Sequence, residues 1–142
     1  MVELHPNSLW LGNMFDARDP SALFENEIQA VVDLAYEEKP AQLPRQLIYC
    51  RYPLIDGGGN DESVLLHAIQ CVLGFLNSET KMLVACSAGM SRSPTVAAFA
   101  LAAFLKTKPT EVIEKVSQLK GLEINGELWN NVDKVFPRLR HW

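Results

Sequence analysis

The chain has 142 residues, of which 48% are hydrophobic and 21% are charged, and its formal net charge at pH 7 is -4. This composition excludes a disordered chain and predicts one globular domain spanning residues 1–142. The negative charge argues against nonspecific nucleic-acid binding, which uses clustered lysine and arginine. Apolar runs are too short for a bilayer span, and the N-terminus lacks signal-peptide order. We therefore expect a cytoplasmic monomer with no membrane or nucleic-acid partner.

Apolar runs and turn residues in the first half of the chain predict three strands and one short helix. The strands are expected at Leu9 to Gly12, Ala30 to Leu34 and Leu47 to Leu54, with the helix near Ala22 to Asn26. Three consecutive glycines, Gly57 to Gly59, follow the third strand and predict a mobile loop.

Helical periodicity dominates the second half of the chain. One strand is expected at Met82 to Cys86, with one helix before it and three helices after it. The helices are Asp61 to Leu76, which Asp61 caps, and then Arg92 to Leu105, Pro109 to Leu119 and Glu127 to Leu139. The second of these is apolar on all sides and should run through the core. Alternating strands and helices predict a three-layer α/β fold with a mainly parallel central sheet flanked by helices.

The segment LVACSAGMSRSPTV, Leu83 to Val96, carries the most chemical information. Cys86 ends a buried strand, and Ser93 and Pro94 open the apolar helix. The loop between them therefore lies at a helix N-terminus, where free N–H groups and the helix dipole favour an anion and would hold a cysteine as its thiolate. Arg92 adds a planar cation that can bind two phosphate oxygens at once.

These residues can support hydrolysis of a phosphate monoester. Cys86 could attack phosphorus to form a phosphocysteine, and Ser93 could hydrogen-bond the sulfur and ease its departure, in addition to capping the helix. Gly89 lets the loop bend around the anion. The phosphoryl oxygens would be bound by the Arg92 guanidinium and by the backbone amides of Ser87, Ala88, Gly89, Met90, Ser91 and Arg92.

A general acid must protonate the leaving oxygen, and the loop after the third predicted strand offers Asp56 and Asp61. The glycines beside Asp56 favour it, because its loop could close over a bound phosphate. Asp61 is better placed to cap the following helix. A turn aspartate before glycine remains the alternative interpretation of Asp56.

The motif CSAGMSRS, from Cys86 onward, resembles the signature of the dual-specificity branch of the cysteine-based protein phosphatases. The resemblance covers Leu9 to Leu139 and implies a single phosphatase-like catalytic domain containing a strand, a phosphate loop and a helix. It assigns Asp56 as the general acid, about thirty residues before the nucleophile, and Asp61 as the helix cap. It also implies that Asn125 supports the phosphate loop from the start of the last helix.

One position departs from that signature, because Ala85 precedes the nucleophile where the family usually has histidine. The histidine helps to hold the loop and the thiolate, so its absence predicts slower turnover without loss of phosphate binding. Ala85 is also the sequence feature that supports an alternative function, a catalytically weak module that binds phosphorylated ligands. A third hypothesis, a sulfurtransferase or arsenate reductase, fits the position and pattern of the loop less well.

The implied reaction is hydrolysis of phosphotyrosine, with phosphoserine and phosphothreonine as further candidates, in proteins or in small phosphate monoesters. The scattered histidines and cysteines predict no metal site, and no other cofactor is expected. Cys71 could in principle resolve an oxidised Cys86, although a buried apolar role is the commoner one for Cys71 and Cys50. The charged run Tyr36 to Lys39 is interpreted as a solvated loop without an assigned function.

Overall fold

The computed structural model describes residues 1–139. Within these residues the chain forms five strands and five α-helices, in the order β1 (Val2–His5), β2 (Leu9–Gly12), α1 (Pro20–Glu25), β3 (Ala30–Ala35), β4 (Ile48–Leu54), α2 (Glu62–Asn77), β5 (Met82–Ala85), α3 (Arg92–Leu105), α4 (Pro109–Leu119) and α5 (Gly126–Val135). Short 3₁₀ turns occupy Asp16–Arg18 and Phe136–Arg138.

The sheet has the order β1-β2-β5-β3-β4. Strands β2, β5, β3 and β4 run parallel to one another, and β1 pairs antiparallel with β2 at the edge. The predicted mainly parallel sheet is therefore confirmed. Strand β1 was not predicted, because this four-residue edge strand is only partly buried and its pattern VELH is too short to show a period.

Helices cover both faces of the sheet, but unequally. Helices α2 to α5 pack on one face and form the main core with inward-facing strand residues such as Leu11, Val32 and Val84. The other face carries a smaller apolar cluster that includes Trp10, Val31 and Leu83 and residues from α1 and the first 3₁₀ turn. Successive strand residues point to opposite faces, so β2, β3, β4 and β5 contribute to both cores.

Helix α3 is buried from Arg92 through Ala103, which confirms its predicted course through the core. Asp61 caps α2 by accepting a hydrogen bond from the Ser63 backbone N–H, also as predicted. The last helix is shorter than expected, because the α-helix ends at Val135 and Pro137 lies in a 3₁₀ turn. Among residues 1–139, no helix combines the length and apolar character needed to cross a bilayer.

Candidate active site

The loop from Cys86 to Ser91 joins the carboxyl end of β5 to the N-terminus of α3. Gly89 has a φ angle of +76°, in the left-handed region that favours glycine. A Cβ atom at this position would lie 2.9 Å from the backbone oxygen of Gly12. Gly89 therefore allows both the bend of the loop and its close approach to β2.

The thiol of Cys86 lies at the base of this loop and is 2% exposed. Its Sγ accepts a hydrogen bond from the Ser93 backbone N–H at 3.4 Å and lies 3.3 Å from Ser93 Oγ. In the thiol form the S–H donates to that hydroxyl, whereas in the thiolate form the hydroxyl donates to sulfur. Two donors from the first turn of α3 can thus stabilise negative charge on Cys86.

The N-terminus of α3 differs from those of α2 and α5 in its capping. Ser91, the N-cap residue of α3, provides no side-chain hydrogen bond, whereas Asp61 and Asn125 cap α2 and α5. The N-cap side chain therefore satisfies none of the first N–H groups of α3, and of these groups the Ser93 N–H donates to Cys86 Sγ. Together with the positive end of the helix dipole, they favour binding of an anion in the loop.

Arg92 is buried at the start of α3, with 4% of its surface exposed. Its Nη1 and Nη2 donate to the two carboxylate oxygens of Glu37 at 2.6 Å and 2.7 Å, and Nη1 also donates to the Leu54 carbonyl at 2.8 Å. Among the described residues, Arg92 Nε is buried without a hydrogen-bond partner. The Nε–H group is thus available for a phosphate oxygen, because a buried donor without a partner is otherwise unfavourable.

The ion pair also changes the pKa values of both groups. The hydrogen bond from Arg92 lowers the pKa of Glu37 to about 2, although burial acts in the opposite direction. Burial alone would lower the pKa of Arg92, but Glu37 and the nearby Cys86 and Asp56 raise it above its usual value. Both partners are therefore charged at neutral pH.

Glu37 corrects the interpretation of Tyr36 to Lys39 as a solvated loop without a function. This loop follows the carboxyl end of β3, and the phosphate loop follows the carboxyl end of the neighbouring parallel strand β5. Side chains of the loop after β3 therefore reach the site. Ser87 Oγ lies 2.8 Å from a Glu37 carboxylate oxygen and 2.9 Å from a Glu38 carboxylate oxygen. An available sequence signal was the position of two acidic residues directly after a buried parallel strand, where ligand sites form.

Asp56 lies on the exposed loop between β4 and α2 and is close enough to Arg92 to affect its pKa. Its backbone carbonyl accepts a hydrogen bond from Asn125 Nδ2 at 3.1 Å. Asn125 also donates its backbone N–H to Ser91 Oγ at 3.0 Å and caps α5 through its side-chain oxygen. Asn125 thus links the loop carrying Asp56 to the phosphate loop.

Lys120 is a second cation at the site that sequence reasoning missed. Its Nζ donates to the Gly89 carbonyl at 2.5 Å, which connects the end of α4 to the phosphate loop. Burial lowers the pKa of Lys120, while the proximity of Cys86 and Asp16 opposes that shift. A lysine directly after a surface helix gave no local sequence signal for this contact.

Ala85 is 1% exposed and belongs to the smaller apolar cluster, on the sheet face opposite Cys86. In register it lies beside Gly12 on β2 and Asp33 on β3. Asp33 is also buried, and its carboxylate accepts hydrogen bonds from Tyr49 Oη at 2.5 Å and from the Ala35 N–H at 3.1 Å. A larger side chain at position 85 would therefore meet a packed environment that contains a buried carboxylate.

Cys71 interacts with Cys50 and Tyr52 rather than with the phosphate loop. Burial raises the pKa of the Cys71 thiol to about 12, so it stays protonated at neutral pH. A protonated thiol is a poor nucleophile toward an oxidised cysteine. These neighbours favour a packing role for Cys71.

No family model matches the chain. A rat protein named dual specificity protein phosphatase 15 is 36% identical over 92 residues, which are 62% of this chain and 37% of that protein. The fold adds a second observation, because the crystal structure of human DUSP28 superposes with a TM-score of 0.84 at 20% identity and covers 97% of this chain and 96% of that one. The chain is therefore similar over these 92 residues to proteins named dual specificity phosphatase, and it has the fold of such a phosphatase.

A further structural neighbour is a mouse putative dual specificity phosphatase complexed with zinc tungstate. Its TM-score is 0.80 at 20% identity, with 96% of this chain and 86% of that chain covered. The chain spans little more than a third of the length of the curated relatives that it matches. The similarity therefore covers the phosphatase fold, and activity and substrates must be argued from the site.

Proposed function

We propose that the chain hydrolyses phosphate monoesters through a phosphocysteine intermediate. The observation that supports this most directly is the position of Cys86 Sγ, which lies within hydrogen-bonding reach of two Ser93 donors at the uncapped N-terminus of α3. Arg92 stands beside it with a free Nε. A thiolate nucleophile and donors for the transferred phosphoryl group are thus assembled in one loop.

In the first step, the Cys86 thiolate attacks phosphorus and an S–P bond forms as the P–O bond to the leaving group breaks. Protonated Asp56 transfers its proton to the leaving oxygen, so that a neutral alcohol or phenol departs. The loop amides and Arg92 stabilise the negative charge on the three non-bridging oxygens. The product of this step is phosphocysteine, with Asp56 as a carboxylate.

In the second step, the Asp56 carboxylate takes a proton from a water molecule as that water attacks phosphorus. The S–P bond breaks, inorganic phosphate forms and Cys86 leaves as a thiolate. Ser93 assists here, because its hydroxyl can donate to the departing sulfur. Asp56 ends the cycle protonated, as it began.

Turnover of 4-nitrophenyl phosphate by freshly reduced protein tests the proposal. Cys86→Ser should abolish the activity, because a serine hydroxyl at this position is not ionised at neutral pH. Activity that persists in this variant would reject the phosphocysteine mechanism. The alternative, a module that binds phosphorylated ligands without catalysis, requires binding of inorganic phosphate with no turnover by the reduced parent protein.

The proposed physiological substrates are proteins with phosphotyrosine and also phosphoserine or phosphothreonine, and the proposed location is the cytoplasm. The support for the location is chemical, because a reducing compartment keeps the Cys86 thiol available. We propose that the chain acts as a monomer and without a nucleic-acid or membrane partner. Size-exclusion chromatography with light scattering would test the monomeric state, and imaging of a tagged protein would test the cytoplasmic location.

A further inference from the structure

Three loops surround the opening of the phosphate loop, and they follow the carboxyl ends of the parallel strands β2, β3 and β4. The first is tied to the site by the Met14 N–H, which donates to the Ser87 carbonyl at 3.1 Å. The second carries Glu37, and the third begins after Leu54, whose carbonyl accepts from Arg92. We call their exposed or partly exposed apolar and acidic residues the rim, namely Phe15, Tyr36, Glu37, Glu38, Ile55 and Asp56.

The rim exposes large apolar side chains where a substrate would lie. Phe15 is 72% exposed, Tyr36 62% and Ile55 50%, and each is adjacent in the chain to a residue that contacts Ser87 or Arg92. They are three of the seven exposed large hydrophobic residues within 1–139. Exposed apolar residues grouped around a cleft are typical of a recognition surface rather than of an ordinary solvated one.

The rim is also acidic. The carboxylates of Glu37 and Glu38 both reach Ser87. The two cations of the site already have partners within the protein, since Arg92 is paired with Glu37 and Lys120 donates to the Gly89 carbonyl. The amides and Arg92 Nε can bind one phosphoryl group, whereas further negative charge would meet carboxylates.

Cations near the rim do not cancel this asymmetry at the opening. Arg18 donates to the carbonyls of Met14 and Lys39. Arg51 donates to the last carbonyl of β3 and to two carbonyls of the loop that follows it. Both guanidinium groups therefore stabilise the loops by donating to backbone carbonyls. Lys39 is exposed on the same loop and contributes one positive charge beside Glu37 and Glu38.

We propose that the rim selects phosphopeptides with lysine or arginine next to the phosphorylated residue and disfavours polyanionic phosphates. This inference rests on the proposed function and specifies its substrate class. The single phosphate enters the loop, a flanking cation lies against Glu38, and apolar substrate groups pack on Phe15, Tyr36 and Ile55. Charge complementarity of this kind acts on association and on discrimination between partners.

The test compares kcat/KM for three peptides that share one phosphotyrosine and differ only in neighbouring lysine, glutamine or glutamate residues. We expect the lysine peptide to exceed the glutamate peptide about tenfold at low ionic strength, with the ratio falling as salt screens the rim. A soluble short-chain phosphatidylinositol phosphate should be a poorer substrate than the glutamine peptide. Equal values for the three peptides, or preference for the inositol lipid, would overturn the proposal.

Variants locate the discrimination on the rim. Glu38→Gln should reduce the lysine-to-glutamate ratio and Glu38→Lys should reverse it. Glu25→Gln removes the same charge at the exposed end of α1, which leads into the start of β3, and should keep the ratio of the parent protein. A ratio that is unchanged in both Glu38 variants would show that the rim does not select these peptides.

Binding separates this inference from the proposed function. The Cys86→Ser protein should bind the lysine peptide more tightly than the glutamate peptide, as measured by isothermal titration calorimetry. If the parent protein turns over none of the substrates but this binding order holds, the rim inference stands and the catalytic proposal fails. If turnover is observed with no binding or kinetic preference, the catalytic proposal stands and the rim inference fails.

Discussion

Arg92 and Glu37 form a bidentate ion pair that joins the start of α3 to the loop after β3, with N–O distances of 2.6 Å and 2.7 Å. The fork holds both Nη atoms of Arg92 and leaves Nε without a partner among the described residues. The Leu54 carbonyl contacts Nη1 from a third loop segment. The orientation of the Arg92 guanidinium is therefore determined by residues far from it in sequence.

Glu37→Gln should lower kcat/KM for 4-nitrophenyl phosphate by about tenfold. The amide can accept only one of the two hydrogen bonds from Arg92, and loss of a charge-assisted bond costs about 1.5 kcal/mol or more. The buried guanidinium would then lose its fixed orientation toward the phosphoryl oxygens. Steady-state kinetics and inhibition by inorganic phosphate measure this effect.

Glu25→Gln is the control for Glu37→Gln, because it removes one carboxylate charge from an exposed site at the end of α1. Its kinetic constants should equal those of the parent protein. Tighter phosphate binding by Glu37→Gln would contradict the prediction. It would mean that Glu37 competes with phosphate for Arg92 instead of positioning it.

The stability provided by Glu37 should depend on pH. Its pKa falls from the ordinary glutamate value of 4.5 to about 2 in the folded protein, mainly because of the Arg92 hydrogen bond. A lowered folded-state pKa stabilises the fold above pH 4.5, and this contribution disappears as pH falls from 4.5 to 2. Because the Glu37 side chain is 51% exposed, solvent screening limits the contribution to about 1 kcal/mol.

Urea unfolding of the parent protein and Glu37→Gln between pH 7 and pH 2 measures this contribution. The difference in unfolding free energy should be constant from pH 7 to about 5 and should shrink below pH 4.5. A difference that grows on acidification would contradict the assigned ion pair. The low pKa also predicts that Glu37 does not produce the acidic limb of the pH–rate profile above pH 4.

Asp56→Asn should reduce kcat by about 10²- to 10⁴-fold for alkyl phosphates, the range typical of a lost general acid. The loss should be much smaller for 4-nitrophenyl phosphate, because nitrophenolate leaves without full protonation. Asp61→Asn is the matched control, since asparagine caps a helix as well as aspartate does and Asp61 binds the start of α2. Equal losses for the two substrates would indicate that Asp56 has another role.

Gly89→Ala should lower kcat/KM about tenfold or more, because left-handed backbone strain alone costs about 1–3 kcal/mol. The added Cβ would also lie 2.9 Å from the Gly12 carbonyl oxygen. Gly74→Ala is the control, since a Cβ added to this helical glycine would have no neighbouring atom within 4 Å. It should keep full activity and raise the unfolding free energy by about 0.5–1 kcal/mol. Full activity of Gly89→Ala would contradict the tight loop.

Most of the parallel sheet and its helices could be predicted because local pattern and burial agree there. Strand β2 and helix α4 have the predicted bounds, and β3, β4 and β5 differ by one residue at one end. Cys86, Ser93 and Arg92 could be found because one contiguous segment carries all three. The neighbouring glycines favoured Asp56 over Asp61 as the general acid, and the resemblance to a family assigned it. Asn125 came from the resemblance alone, since its contact with Asp56 spans 69 residues.

Glu37 and Lys120 could not be predicted because their partners are distant in sequence. The Glu37–Arg92 pair spans 55 residues and the Lys120–Gly89 contact spans 31. Local pattern described YEEK correctly as a polar loop after β3. The local pattern contained no information on which parallel strand lies next to β3. The neighbouring strand is β5, and this pairing brings Glu37 to Arg92.

Ala85→His should raise kcat while lowering stability. The imidazole would enter the packed cluster beside Asp33 and Gly12, and such overpacking costs about 1–3 kcal/mol. The buried Asp33 carboxylate could accept its N–H, which would orient the ring next to the nucleophile. Ala85→Leu adds bulk without a hydrogen-bond donor, so it should lose stability without a gain in kcat. Both variants are measured well below their unfolding temperatures. An equal kcat in the parent protein and Ala85→His would show that histidine at this position is not what limits turnover.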